Sequence, residues 1–144
     1  MTSIFHEFSK RYFKEAIKDF ERAKRALDFN DWPQAIFYSQ QCVEKCVKAI
    51  LEAFGEYWRN HGIILASRLR QYIDRLGTDV EYVAEVLENL QEYYTRSRYP
   101  TLFRGHVYSP EEIIDEELAR EAVYKAEKVI KIIERWLHEL KVLE

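Results

Sequence analysis

The sequence predicts an all-α protein, an antiparallel up-and-down bundle of four to five helices, and three observations predict it. Apolar residues recur at three-to-four spacing through most of the 144 residues. The chain holds four Gly and three Pro, fewer than the turns of a β-rich domain need. No stretch alternates apolar and polar residues as a half-buried strand does. With 47% hydrophobic and 33% charged residues the composition is that of a folded domain with a solvated surface, and the length fits one domain, residues 1–144.

The first helix is expected over about 3–29, where Phe5, Phe8, Tyr12, Phe13, Ala16, Ile17, Phe20, Ala23 and Leu27 form one stripe between charged residues. Asn30-Asp31-Trp32-Pro33 ends it and starts the next, because Asp caps a helix well and proline is tolerated in a first turn. That second helix, about 33–54, carries two adjacent apolar stripes, one through Ala35, Cys42 and Cys46 and one through Ile36, Val43 and Ile50, and so belongs at the centre. Its remaining stripe, Gln34, Tyr38, Gln41, Lys45, Lys48 and Glu52, is expected to be solvated, with a Glu44–Lys48 pair at i,i+4, or turned toward a partner.

A connection containing Gly55 and Gly62 leads to a shorter helix through Leu65, Leu69, Tyr72, Ile73 and Leu76, ended by Gly77. Thr78-Asp79-Val80-Glu81 reads as a capping box opening a fourth helix that runs to about Arg96. Ser97–Tyr108 has no helical period and is expected to be a loop, long enough to imply a role of its own. Ser109-Pro110-Glu111-Glu112 then caps one last long helix with Ile113, Leu118, Ala122, Ala126, Ile130, Ile133, Leu137 and Leu140 on its apolar side.

Several function classes are excluded at this level. Neither a membrane span nor a signal peptide is visible, so a cytoplasmic protein is expected. Cys42 and Cys46 share a helix face with parallel side chains, which speaks against a disulfide, and without two further ligands they make no metal site. Glycine-rich phosphate loops and the common hydrolase signatures are missing, and no cofactor is expected.

Charge is the most informative remaining feature. The chain carries a net −3, yet residues 93–108 contain Arg96, Arg98 and Arg104 and no acid, leaving 19 basic against 25 acidic residues elsewhere. Tyr93, Tyr94, Tyr99, Phe103 and Tyr108 are interleaved with those arginines. Guanidinium groups beside aromatic faces suit a phosphate next to a stacked base, so this segment is the candidate nucleotide site. The competing reading makes Tyr94 and Tyr99 core residues and pairs the arginines with acids of neighbouring helices. Of the four histidines, His6 and His138 sit in ordinary helical surroundings. His61, after Arg59-Asn60, and His106, inside the basic segment, are the candidates for acid–base work.

YSQQCVEKCVKAIL at 38–51, His61, and YYTRSRYP at 93–100 together resemble the HEPN (higher eukaryote and prokaryote nucleotide-binding) family, and RAKRAL, DWPQA and the Ala-spaced last helix extend the resemblance over most of the chain. It implies a bundle of this topology, frequent homodimers, a relation to the helical domain of kanamycin-type nucleotidyltransferases, a minimal nucleotidyltransferase as protein partner, and nucleotide binding. Many HEPN proteins are also metal-independent ribonucleases, toxins among them, with an Arg followed after four to six residues by a His. The chain departs from that pattern: seven residues separate Arg98 from His106, one separates Arg59 from His61, and two separate Arg135 from His138.

Two functions follow as expectations. In the first, Arg96, Arg98, Tyr99 and Arg104 hold a nucleotide or RNA, with Lys45, Lys48, Arg59 and His61 contributing if the polar stripe of the second helix faces the loop. In the alternative, a toxin-like ribonuclease uses Arg98 or Arg59 for phosphate and His106 or His61 as acid or base.

Overall fold

The computed structural model describes residues 3–144. Helix α1 (Ile4–Asp28) starts at Ser3, whose hydroxyl accepts from the backbone N–H of His6 at 3.1 Å, and ends as Asn30 takes a positive φ of 58°. Asp31 caps α2 (Trp32–Ala53) by accepting from Gln34, with Pro33 in the first turn. α2 packs against α1, α8 (Glu116–Glu139), α5 (Asp79–Gln91) and α3 (Ile63–Arg70), so the expected central helix is central. Trp136, Ile36, Ile50, Leu65, Leu87 and Ile133 are fully enclosed. Near the start of α2, Ala23, Ala26, Ala35 and Ala119 form a second, small-residue contact that lets α1, α2 and α8 approach closely.

The chain between these helices departs from expectation in four places. The third helix is two pieces, α3 and a single turn α4 (Ile73–Leu76). Thr78 adopts helical φ and ψ and makes no side-chain cap, so the expected capping box does not close. Its intended partner is engaged elsewhere: Glu81 accepts from Arg70, which also holds Glu88, with contacts of 2.7 to 3.1 Å. At the last helix the Ser109–Glu112 box does form, but it caps only one turn, α7 (Pro110–Ile113). Burial of Ile114 draws that residue into extended backbone, and Asp115 caps α8 afresh through Leu118 N–H at 2.9 Å.

The fourth departure concerns the basic segment. After a single turn, α6 (Tyr93–Arg96), it folds into an antiparallel hairpin of β1 (Thr101–Phe103) and β2 (His106–Tyr108), pairing Leu102 with Val107 and Phe103 with His106. Arg104 and Gly105 make the turn at φ 47° and 81°, both left-handed as a two-residue hairpin turn of right twist requires. The loop is therefore a small two-stranded ribbon on an otherwise helical protein.

Candidate functional site

Ser97 points inward and is buried, which leaves Arg96 and Arg98 on either side of it exposed. Arg98 anchors its Nε–H on the carbonyl of Tyr94 at 3.1 Å. Its guanidinium carbon lies 4.3 Å from the ring centroid of Tyr94, 5.0 Å from that of Phe37 on α2, and 5.1 Å from that of Tyr99. Three aromatic rings thus hold the cation in place while none neutralises it. Among the described residues, Arg59, Arg96, Arg98 and Arg104 form no ion pair. Arg104 lies over Phe103 at 5.1 Å, and Arg96 lines a cleft of about 350 Å³ with Thr101, Phe103, Tyr108, Glu112 and Ile113.

A polar row descends α2 from that cluster. Gln41 donates to Gln40 at 2.7 Å, and Gln40 donates to Gln91 of α5 at 2.9 Å. One turn on, Glu44 is buried and accepts twice, from the backbone N–H of Gly62 at 3.0 Å and from His61 Nδ1 at 2.9 Å. With the Glu44 carboxylate as acceptor, His61 donates from Nδ1, and its ring is 60% exposed. Lys48 and Glu52 follow at 7% and 1% exposure. Glu52 has no hydrogen-bond partner among the described residues, and burial pushes its carboxyl above the usual range.

The HEPN domain model matches residues 9–136. The chain belongs to the HEPN family. It is 32% identical over 139 residues to a protein of Methanocaldococcus jannaschii described as "Putative toxin MJ1304", covering 92% of this chain and 90% of that one. Two crystal structures share the fold. TT1696 from Thermus thermophilus superposes with a TM-score of 0.74 at 23% identity, covering 88% of this chain and 96% of that one. ST0689, an archaeal HEPN homologue, gives 0.69 at 26% identity, covering 90% and 97%.

In this HEPN domain the sequence-predicted site residues divide into groups. Arg98 and Tyr99 meet, joined by Tyr94 and Phe37, whereas Arg96 and Arg104 sit on and beside the hairpin. His61 belongs to the α2 row and Arg59 lies exposed on the connection before it. No hydrogen bond or ion pair joins Arg98 to His106, whose exposed ring faces Tyr108 at a centroid distance of 6.2 Å.

Lys45 and Lys48 are turned toward α1. Lys45 pairs with buried Asp19 at 2.6 Å, and Lys48 lies 6.0 Å from the ring of Tyr12. The polar stripe of α2 is therefore covered by α1 along Lys45, Lys48 and Glu52 rather than solvated, and Glu44 pairs with His61 instead of Lys48. Hydrogen bonding to Cys46, then burial, raises the Cys42 thiol well above its ordinary range, and no group of three His, Cys, Asp or Glu among the described residues could hold a metal ion. No described helix is long and apolar enough to cross a membrane.

Sequence reasoning missed Phe37, Gln40, Gln91 and Glu44 as parts of the site. Their signal was weak but present: Phe37, Gln41 and Glu44 step along α2 by four and three residues, the spacing of one helix stripe.

Proposed function

We propose that this HEPN domain binds a phosphate flanked by a base, as presented by a nucleotide or by single-stranded RNA, with Arg98 as the phosphate ligand and Tyr99 as a stacking surface. One observation carries the reading. Arg98 is fixed by three aromatic rings and by the Tyr94 carbonyl, yet its charge has no carboxylate partner among the described residues. An ordered but uncompensated guanidinium is what recognition of an oxyanion asks for, since little rotamer entropy remains to be lost on binding. Arg104 and Arg96 extend the same basic surface along the hairpin. The family resemblance adds a homodimer and a nucleotidyltransferase partner to this reading.

The second reading, a toxin-like ribonuclease, is favoured by the description of the archaeal relative. Both readings begin with RNA or nucleotide at Arg98. Thermal unfolding with and without ATP, GTP and a short RNA tests that step, because a ligand that binds only the folded state raises Tm by mass action. A rise of a few degrees that disappears in Arg98→Ala is expected. No rise with any ligand at millimolar concentration overturns it.

A further inference from the structure

We propose that the cleft beneath the hairpin reads a guanine base. Glu112 accepts from the N1–H and the N2 amino group of the base, and Arg96 donates to its O6 and N7. The inference rests on the reading that Arg98 binds phosphate, and it adds to that reading the identity of the base.

Three neighbouring elements build the cleft. In the hairpin register Thr101 pairs with Tyr108 and Phe103 with His106, so Thr101, Phe103 and Tyr108 stand on one face of the ribbon and Leu102 and Val107 on the other. The first face walls the cleft of about 350 Å³, whose remaining lining is Arg96 from α6 and Glu112 and Ile113 from α7. That volume lies at the lower end of the roughly 300–1,000 Å³ spanned by small-molecule sites. Phe103, Tyr108 and Ile113 offer apolar surface to a flat ring.

Arg96 and Glu112 carry opposite charges on one cleft, yet among the described residues neither takes part in an ion pair. Glu112 is held in place by Ser109 instead. Its Oε1 accepts the Ser109 backbone N–H at 3.0 Å, and that N–H together with the Ser109 hydroxyl keeps the carboxyl below the usual carboxylate range. A carboxylate has about four acceptor sites, so the cap leaves capacity for a ligand.

An acceptor-only group and a donor-only group on one cleft ask for a flat ligand with two adjacent donors on one edge and two adjacent acceptors on the next. Guanine has both, N1–H beside the N2 amino group and O6 beside N7. Adenine, cytosine and uracil each set an acceptor beside the donor of their pairing edge, so a carboxylate there meets one N–H and one repelling lone pair. The phosphate is within reach of the same nucleotide. Arg96 and Arg98 flank the inward-pointing Ser97, which limits their Cα atoms to about 7 Å apart. Tyr99 remains for a neighbouring base of a strand.

Titration calorimetry on the wild-type protein compares GTP, ATP and inosine triphosphate, whose base lacks the N2 amino group. A second arm compares a short single-stranded RNA carrying one guanine with the same strand carrying adenine. GTP is expected to bind about tenfold more tightly than ATP, with inosine triphosphate between them. Guanine preference in the first arm alone identifies a free nucleotide as the ligand, and in the second alone a strand. Glu112→Gln keeps an oxygen for the Ser109 N–H but presents an amide N–H to the base. It is expected to retain the melting transition and to lose the preference for GTP without weakening ATP. Arg96→Ala, which touches no cap, is expected to lose the preference as well, whereas Arg98→Ala weakens every ligand alike.

Equal affinity for guanine and adenine ligands in both arms overturns the assignment and leaves phosphate binding at Arg98 standing. A guanine preference that survives in Arg96→Ala or in folded Glu112→Gln places the base outside this cleft and overturns it too. Absence of binding by any of the ligands removes the Arg98 reading together with this one.

Discussion

Lys45 Nζ stands 2.6 Å from Asp19 Oδ2, and Arg22 approaches the other oxygen of the same carboxylate at 2.6 Å. The Asp19 side chain is only 3% exposed, so the two cations are what make its burial against α2 tolerable. Lys45→Met keeps the stem and removes the charge, leaving Arg22 as sole partner. The variant is expected to lose roughly 1–3 kcal/mol of stability, read by denaturant unfolding. RNA or nucleotide affinity is expected to stay within about twofold, because the ammonium is committed to α1. A large loss of affinity at unchanged stability would place Lys45 in the binding surface after all.

Arg98 invites a conservative substitution that is not conservative in physical terms. Lysine keeps the positive charge but has no flat guanidinium to lie among Tyr94, Phe37 and Tyr99, and it strips the Nε–H anchor from the Tyr94 carbonyl. Arg98→Lys is therefore expected to weaken nucleotide or RNA binding by about tenfold, most of the way to the alanine variant, with little change in Tm. Titration calorimetry checks it. Wild-type affinity in the lysine variant would mean that charge alone is read and that the aromatic cluster is incidental.

How much of this was legible in the sequence follows from which forces act locally. α1, α2, α5 and α8 are visible because a dozen or more residues vote for one period, and the caps at Asp31 and Ser109 use partners three residues away. The break at Ile114 is not visible, since it arises from that side chain reaching a core assembled from the whole chain. The hairpin was hidden by its size: three-residue strands show no alternation, and Arg104-Gly105 is a less familiar turn than Asn-Gly. In the site, Arg98 and its neighbouring tyrosines were legible from local composition. The Glu44–His61 contact spans 17 residues and the Gln40–Gln91 bond 51, and only packing brings those partners together.

Gly62 illustrates the cost of that packing. Its φ is +78°, a conformation that L side chains rarely adopt, and a Cβ added there would stand 2.8 Å from Gln91 Cδ. Gly62→Ala thus carries two penalties, backbone strain and a collision with the side chain that accepts from Gln40. Gly55, at φ +82° with nothing within 4 Å, carries only the first. The expected order of stability is wild type, then Gly55→Ala at about 1 kcal/mol below it, then Gly62→Ala lower still. Gln91→Ala added to Gly62→Ala is expected to recover the collision part alone. Equal losses in the two single variants would mean that Gln91 moves aside freely.

Glu52 gives the fold a pH dependence whose sign can be worked out. Its carboxyl is buried at 1% exposure, both oxygens lack a partner among the described residues, and burial raises its folded pKa above that of the unfolded chain. The folded state therefore holds the proton more tightly. The stability that protonation contributes is fully present below the unfolded pKa and is lost as pH rises through the folded value. Above the folded value the protein bears a buried charge that Glu52→Gln would not. The variant is accordingly expected to melt a few degrees higher than the wild type at about pH 8, roughly the shift that 1 kcal/mol produces in a domain of this size. The gap should close below about pH 4, where the wild-type carboxyl becomes protonated in both states. Paired melting curves across that range decide the matter. A gap that stays constant with pH would show that Glu52 is stabilised as a carboxylate by a partner or water the protein holds beside it.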